Sequence, residues 1–356
     1  MSKHSRNTPL RPALASLPKI ELHRHLEGSL RLTTLRDIAL EYKLDLPVRT
    51  VEELRPYVQV TNDEPNYRNF LEKFNVLRRF YQSPEVISRV TYEVIEDAAH
   101  DNIRYFELRC TPAALAKTRS YPLPEVTHWT LLAVDRARRD FPNIQVELIA
   151  SINRHESLEI AETVTQIAVD HKDVIVALDL TCDEVNYPAA PFAPLFQEAK
   201  RAGLGITVHA GEWTGPATVR HAIEALGAER IGHGVRVVED PNVAALARER
   251  GVAFEVCVTS NLQSGVVQRL ADHPLPHMDQ LQLKTTINTD DPSVSDITLT
   301  DEYEAVIEDL CFTPDDIKNA VITAASCAFQ PPAERERLVK KFRAELGMDS
   351  AGPPST

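Results

Sequence analysis

A histidine and a glutamate lie three residues apart at the end of a short apolar run, where they could do chemistry. The run Ile206–Val208 reads as a buried strand and is followed by His209 and, after Gly211, by Glu212. Glycine permits the tight turn that would bring the carboxylate back beside the imidazole. Taken alone, the pair is more typical of a core histidine and a solvated turn carboxylate. We therefore expect a site only if other strands end in similar groups.

The first predicted strand ends in a His-x-His pair. It is entered through Pro18 and runs from Lys19 to His23, and His25 follows two positions later. In an extended segment, residues two apart point to the same side, so the two imidazoles would face one way while Arg24 faces the other. This is a chelating arrangement, although a His-x-His pair is a weak signal by itself.

A regular alternation of strands and helical stretches positions these residues. Eight strands are predicted, namely Lys19–His23, Ile103–Arg109, Ile144–Ile152, Val174–Leu180, Gly205–His209, Glu229–Gly232, Ala253–Val258 and Thr285–Asn288. Strands separated by helices form βα units and a parallel sheet. Eight such units without a polar linker between them predict a closed (β/α)8 TIM barrel. Extra helices are expected after the first strand, from Leu30 to Tyr81, and from Thr300 onward.

The extra helical segment after the first strand contains an apolar stripe. Its members recur at spacings of three and four and are Tyr67, Phe70, Phe74, Leu77 and Tyr81. Packing onto the core is the ordinary reason for such a stripe. Because the segment follows the His-x-His strand, it could also cover the site as a lid that excludes water.

Five of the predicted strands are followed by residues that bind metals or transfer protons. They are His23 and His25, Asp183 and Glu184, His209 and Glu212, His233, and Asp290 and Asp291. In a parallel barrel these strand ends share one face, which is where such barrels hold their active sites. Three histidines and an aspartate suit zinc, and a zinc ion lowers the pKa of bound water to about 7. The sequence therefore predicts metal-assisted hydrolysis.

The remaining groups at this face divide into ligands and proton carriers. Adjacent strand residues point in opposite directions, so only one of Asp290 and Asp291 is expected to bind metal, which leaves the other for substrate. Glu212 and His233 could serve as proton donor and acceptor, a pairing that contributes roughly 10² to 10⁴ in rate.

Composition limits the classes of partner. The 356 residues are 43% hydrophobic and 26% charged, as in ordinary globular proteins, and a net charge of −13 argues against nucleic-acid binding. Five widely spaced cysteines without a C-x-x-C pair favour a reducing cytoplasm. No signal-like apolar segment is found at residues 1–17, and no apolar stretch approaches the roughly 18 residues of a membrane span. We expect one domain at 18–345, an N-terminal arm at 1–17 and a flexible tail at 346–356.

Five motifs together resemble the adenosine deaminase family in order and spacing. They are ELHRHLEG at 21–28, HAGE at 209–212, RIGHG at 230–234, TSN at 259–261 and NTDDP at 288–292. The similarity covers roughly residues 18 to 335. It implies one Zn²⁺ per chain, with the ligands His23, His25, His209 and Asp290.

The resemblance also implies the roles of the other residues. Glu212 would protonate purine N1, which makes C6 electrophilic, and His233 would orient and deprotonate the attacking water. Ammonia then leaves and inosine remains. Asp291 would meet purine N7 and must carry a proton to donate to it, because N7 is only an acceptor. His25 would border the substrate as well as the metal.

Two departures from the family pattern bear on the substrate. Cys182 stands where the family commonly has a glycine whose N–H meets purine N3, and Glu27 stands where animal members have an aspartate that reaches the ribose 5′-hydroxyl. The leading interpretation is deamination of adenosine and 2′-deoxyadenosine. Adenine, or a 5′- or N6-modified adenosine such as aminodeoxyfutalosine, remains an alternative, and so does a catalytically inactive purine-binding protein.

Other partners are less expected. A nucleotide is disfavoured because the strand ends carry only Arg24, Arg109 and Arg154 as cationic groups. A binuclear amidohydrolase is disfavoured because no bridging lysine follows the fourth strand. The predicted partner is a small purine nucleoside, with no nucleic acid or membrane involved, and homo-oligomers are left open.

Overall fold

An eight-stranded parallel sheet forms the centre of the molecule. The computed structural model describes residues 9–47 and 49–348. Its strands follow one another around the sheet in chain order and are β1 Lys19–His25, β2 Ile103–Cys110, β3 Gln145–Asn153, β4 Ile175–Thr181, β5 Gly205–His209, β6 Arg230–Gly232, β7 Ala253–Val256 and β8 Lys284–Ile287. Every neighbouring pair is parallel. The predicted (β/α)8 barrel is confirmed.

The barrel closes between the first strand and the residues that follow the last. A parallel bridge joins Arg24 to Asp290. The N–H of Asp290 donates to the carbonyl of His23 at 2.9 Å, and the N–H of His25 donates to the carbonyl of Asp290 at 2.8 Å. Three predicted metal ligands, His23, His25 and Asp290, therefore lie where the barrel closes.

Helices surround the sheet and supply the crossover connections. They are α1 Arg11–Ser16, α2 Leu32–Glu41, α3 Val51–Val58, α4 Tyr67–Leu77, α5 Pro84–His100, α6 Pro112–Ala116, α7 Leu123–Asp140, α8 Leu158–Asp170, α9 Ala193–Arg201, α10 Pro216–His221, α11 Pro241–Arg250, α12 Val258–Gln263, α13 Leu275–Gln280, α14 Pro292–Ser295, α15 Leu299–Leu310, α16 Pro314–Cys327 and α17 Pro332–Glu345. The extra helices predicted after β1 are α2 to α4. None of the helices in the described ranges is long and apolar enough to cross a membrane.

Two predicted strands end two residues away from the boundary in the structure, and the ends of the others agree to within one residue. The first strand continues through His25, so both histidines belong to β1. The seventh ends at Val256 because the N–H groups of Val258 and Thr259 donate to the Glu302 carboxylate at 3.0 and 3.2 Å, which caps the start of α12.

The interior of the barrel contains a network of charges. The guanidinium of Arg109 donates to Asp179 at 3.1 Å and to Glu255, while that of Arg230 donates to Glu107 at 2.6 Å. Arg230 Nε also lies 2.5 Å from Glu255 Oε1. All five side chains are buried. Such barrels usually contain layers of branched apolar side chains, so a buried network of charges is unusual here.

The predicted domain limits stay a prediction. In the arm, α1 buries Leu14, and Arg11 forms ion pairs with Asp301 at 2.6 Å and with Glu304. Most of the predicted flexible tail, and the first eight residues, lie outside the described residues.

Candidate active site

A compact set of nitrogen and oxygen donors lies at the carboxyl end of the barrel. One donor atom each from His23, His209, His233 and Asp290 lies within 4.8 Å of the others. His25 Nε2 lies 3.2 Å from His209 Nε2 and 3.4 Å from Asp290 Oδ1. All five side chains are buried. The structure thus gathers the four predicted ligands at one point and places His233 with them.

Buried carboxylates orient two of the imidazoles. His23 Nδ1 lies 2.9 Å from Glu255 Oε2, and His209 Nδ1 lies 3.1 Å from Asp179 Oδ1. Burial alone would raise the pKa of Asp179, but the contact with His209 and the charge of Arg109 hold it below its usual value. Both rings therefore donate through Nδ1 and direct Nε2 to the centre, as metal-binding histidines do. Within the described chain, His23 Nε2 has no hydrogen-bond partner.

The residues fit a metal ion of zinc type. Burial lowers the pKa of His25 and of His209, which keeps both imidazoles neutral and able to bind metal. A Cβ on Gly232 would come within 2.9 Å of the His23 ring and 3.0 Å of the His209 ring, so glycine is needed for the rings to sit here. Three imidazoles and a carboxylate are a donor set that zinc accepts.

A chain of hydrogen bonds fixes the proton of His233. The N–H of Leu275 donates to His273 Nδ1 at 3.1 Å, so His273 donates through Nε2 to Asn261 Oδ1, also at 3.1 Å. The Asn261 amide then donates through Nδ2 to His233 Nδ1 at 3.2 Å. The neutral His233 ring consequently carries its proton on Nε2, which lies 3.6 Å from Glu212 Oε2. His233 therefore faces the site as a hydrogen-bond donor, unlike His23 and His209.

The turn that carries Glu212 is held by a second glutamate from the loop after β4. Glu184 Oε1 accepts the N–H groups of Glu212, Trp213 and Thr214 at 2.8, 2.6 and 2.9 Å, and Oε2 accepts that of Gly211 at 3.0 Å. Gly211 has φ +66°, a conformation that favours glycine. The turn predicted after His209 is therefore present, and one buried carboxylate fixes four of its N–H groups.

The surroundings of the Glu212 carboxyl group favour its protonated form. Burial, followed by the charges of Asp290 and Glu184, raises its pKa well above the usual value. The carboxyl group consequently keeps its proton near neutral pH, which is what a general acid requires.

Asp290 and Asp291 both face the cavity, so the prediction that they point in opposite directions is wrong. They follow β8 in a loop, and Asp290 has φ +62°, outside the range in which strand alternation applies. Asp290 Oδ1 lies 3.2 Å from His23 Nε2, whereas the Asp291 carboxylate occupies the space that a Cβ on Gly28 would need. Burial and the charges of Asp290 and Glu27 raise the pKa of Asp291, which favours its protonated form.

A cavity of about 590 Å³ opens above the donor set. This volume lies within the usual range for small-molecule sites. From α4, Tyr67, Phe70 and Phe74 line it, and the Tyr67 ring stacks on Trp213 with centroids 5.1 Å apart. Three members of the apolar stripe thus line the cavity, while the buried Leu77 packs inward, and a lid that excludes water stays a prediction.

The two residues that depart from the family pattern also line the cavity. Cys182 has φ +73°, the backbone region that glycine adopts at no cost, and its Sγ donates to Asn153 Oδ1 at 3.0 Å. Burial raises the pKa of Cys182 to about 12, so it is a thiol at neutral pH. Glu27 accepts the N–H of Thr111 at 2.6 Å, and burial raises its pKa to about 7.

Sequence reasoning assigned no role to the residues that position the site. Glu184 was noticed only as a polar residue after β4, and Asn261 only as part of a motif. The carboxylates behind the histidines, Asp179 and Glu255, lie within strands that read as ordinary buried runs. A charged residue at an inward position of a buried strand is the signal that could have revealed them.

Comparison with known proteins agrees with this geometry. The sequence profile described as adenosine deaminase matches residues 18–345. The adenosine deaminase of Klebsiella pneumoniae strain 342 is 37% identical over 327 residues, which cover 92% of this chain and 98% of that protein. The crystal structure of adenine deaminase from Arthrobacter aurescens has a TM-score of 0.85 at 28% identity and covers 93% of this chain and 100% of that one.

A third similar protein contains a metal. The crystal structure of an amidohydrolase from Burkholderia ambifaria, with bound Zn, has a TM-score of 0.83 at 25% identity and covers 95% of this chain and 93% of that one. The family profile and the curated relative both extend over nearly the whole barrel. From the fold, the gathered donor set and these matches together, the chain belongs to the adenosine deaminase family.

Proposed function

We propose that the protein is a zinc-dependent aminohydrolase that converts adenosine and 2′-deoxyadenosine, with water, to the corresponding inosine and ammonia. The observation that carries this proposal is the meeting of a metal donor set with the buried Glu212, whose pKa is raised, at one end of the cavity. Relatives named adenosine deaminase at 37% identity support the same reaction.

Zinc would be held by His23, His25, His209 and Asp290, one ion per chain. When bound, it supplies Lewis-acid chemistry that lowers the pKa of a coordinated water to about 7. Asp179 and Glu255 would keep the histidine rings in the ligating tautomer from behind.

The other steps belong to residues of the chain. Glu212 gives its proton to purine N1 and so makes C6 electrophilic. His233 donates from Nε2 to the oxygen of the attacking water and orients it. The carboxylate left on Glu212 takes a proton from this water as its oxygen bonds to C6, and gives that proton to the amino group, which leaves as ammonia. The proton of the C6 hydroxyl returns to Glu212, and N1 keeps its own proton in inosine. A protonated Asp291 donates to purine N7, and the raised pKa of Asp291 supports this assignment. The lid helix α4 excludes bulk water.

Adenine is the second candidate substrate, because one similar structure is an adenine deaminase. A 5′- or N6-modified adenosine and a purine-binding protein without turnover complete the alternatives. Zinc-loaded protein should be given adenosine, adenine and modified adenosines while ammonia release and ultraviolet spectra are followed. We expect ammonia from adenosine. If zinc is bound and no aminopurine releases ammonia, the deaminase proposal is wrong.

A further inference from the structure

The cavity has two ends of different charge. At its floor lie the metal donors, Glu212 and Asp291. At its rim, cations come from elements that sequence reasoning did not connect with the site: Arg68 from α4, Arg78 directly after α4, and Lys117 directly after α6.

The three arginines near the strand ends, Arg24, Arg109 and Arg154, contact other parts of the protein. Arg24 donates to Thr289 Oγ1 at 3.0 Å on the far side of β1, Arg109 belongs to the barrel network, and Arg154 donates to the carbonyls of Tyr187 and His209. None of these three lines the cavity. The cationic groups that face a substrate are therefore Arg68, Arg78 and Lys117, so the small number of cations at the strand ends does not disfavour an anionic substrate.

Arg78 is the central member of the rim. It is half-buried, and its guanidinium makes no ion pair or hydrogen bond with any residue in the ranges 9–47 and 49–348. Other arginines with similar burial, such as Arg31 and Arg138, are paired with carboxylates. A partly desolvated cation without a counter-charge is unfavourable, so a site that keeps one at its mouth is suited to an anionic ligand.

Arg78 and Lys117 share the cavity with His155 and Glu27. Burial is the main cause of the lowered pKa of His155, the charges of Arg78 and Lys117 add to it, and all three residues line the cavity. Glu27 lines the same cavity as Arg78 and Lys117, so these cations share it with the Glu27 carboxyl group.

The acidic groups at the rim have other partners or face the solvent. Asp183 is occupied by its own loop, because it accepts the N–H groups of Val185 and Asn186 at 3.0 Å and the side-chain amide of Asn186 at 2.7 Å. Glu72 is exposed to solvent.

A nucleoside bound with C6 at the metal donors must direct its ribose toward the rim, because Glu212, His233 and Asp291 occupy the floor. We propose that Arg78 and Lys117 form an anion subsite at the mouth of the cavity, and that the chain prefers 6-aminopurine nucleosides with a phosphate or carboxylate on the 5′ carbon. This inference rests on the proposed deaminase function. It deepens that function by naming the substrate class.

The first test compares substrates of the zinc-loaded wild-type protein. Adenosine, adenosine 5′-monophosphate and adenosine 5′-carboxylic acid share the purine and ribose and differ in the 5′ group. We expect kcat/KM for at least one anion to exceed that for adenosine by ~10-fold or more, as a charge-assisted contact provides. The better anion identifies phosphate or carboxylate as the preferred group. If adenosine is preferred to both, the proposal is overturned.

The second test changes the subsite. Arg78→Gln should lower the ratio of kcat/KM for the preferred anion to that for adenosine by ~10-fold, and Arg78→Lys should restore much of it. Arg79→Gln is the matched control, because this adjacent arginine donates to the carbonyl of Asp45 and does not line the cavity. Lys117→Gln, on the exposed rim, serves if Arg78 variants fold poorly. An unchanged ratio in a folded Arg78→Gln protein overturns the proposal.

A binding measurement separates this proposal from the deaminase function itself. Calorimetry with inosine and inosine 5′-monophosphate needs no turnover. We expect the monophosphate to bind the metal-loaded protein at least ~10-fold more tightly and to lose this advantage at high salt. Equal affinities, or no binding of the monophosphate, overturn the anion subsite even if adenosine is deaminated. If no aminopurine releases ammonia but the monophosphate is preferred, only the deaminase proposal fails.

Discussion

Replacement of Glu184 by glutamine tests whether the turn that carries Glu212 is held in place for catalysis. The carboxylate accepts four backbone N–H groups at 2.6 to 3.0 Å. Glutamine has the same size and keeps one oxygen, which can serve the three N–H groups now bound to Oε1. Its amide nitrogen cannot accept the N–H of Gly211, and the remaining bonds lose their charge.

The magnitude follows from these bonds. A hydrogen bond to a charged group contributes about 1.5–3 kcal/mol, and one between neutral groups about 0.5–1.5 kcal/mol. Glutamine at this position removes one hydrogen bond and weakens three. A conservative value for the lost stabilisation of the turn is about 1.5–3 kcal/mol, which corresponds to a change of about 10- to 150-fold in an equilibrium constant. We expect kcat for adenosine to fall by ~10-fold or more and KM to change by less than ~3-fold, because Glu184 positions Glu212 and is not proposed to touch substrate.

The assay is the initial rate of ammonia release by zinc-loaded protein, with thermal denaturation measured in parallel. Asp101→Asn is the matched control, because Asp101 accepts the N–H groups of Leu299 and Thr300 at 2.9 and 3.3 Å away from the cavity. The control should lose stability and keep kcat. An unchanged kcat in Glu184→Gln, or an equal loss of kcat in the control, would refute the positioning role.

Three further substitutions address the metal and the substrate-binding residues. Asp179→Asn should weaken zinc binding by ~10- to 100-fold in chelator competition, because the carboxylate orients His209, and an unchanged affinity would contradict this. Cys182→Gly should raise kcat/KM for adenosine, since glycine adopts φ +73° without strain and removes the Sγ from the cavity wall. A lower kcat/KM would show that the contact of Cys182 with Asn153 maintains the shape of the cavity. Glu27 has a pKa of about 7, so it gains a negative charge as pH rises through that value and becomes the stronger acceptor for a ribose hydroxyl. We therefore expect kcat/KM for adenosine to increase across this range in the wild-type protein and to lose the inflection in Glu27→Gln; an inflection that persists in the variant would assign it to another group.

The barrel and the gathering of the donors could be predicted from sequence because both follow from periodicity. Strands alternate with helices, parallel strands share one carboxyl end, and residues at those ends must therefore meet. His23, His25 and His209 illustrate this, since each was placed by its position relative to a strand. The argument for Asp290 and Asp291 was wrong because a left-handed residue interrupts the backbone after β8, and local sequence does not show that.

The positioning residues depend on contacts between distant parts of the chain. The hydrogen bonds from Gly211 to Glu184, and from Asn261 to His233, join residues that lie 27 and 28 positions apart in the chain. Arg78 reaches the cavity only because α4 crosses over the barrel. The side chains of these residues are typical of any solvated loop, so no local pattern distinguishes them before the fold is known.

Glu212→Gln tests the central claim most directly, because it separates metal binding from proton transfer. Zinc content and ammonia release from adenosine should be measured on the same sample. Since Glu212 is proposed as the acid and not as a ligand, we expect the variant to bind as much zinc as the wild-type protein and to lose at least ~10²-fold in turnover. Near-normal turnover would remove Glu212 from the proton-transfer role, and loss of zinc would place it among the ligands. Either result would contradict the claim that metal binding and proton donation belong to different residues.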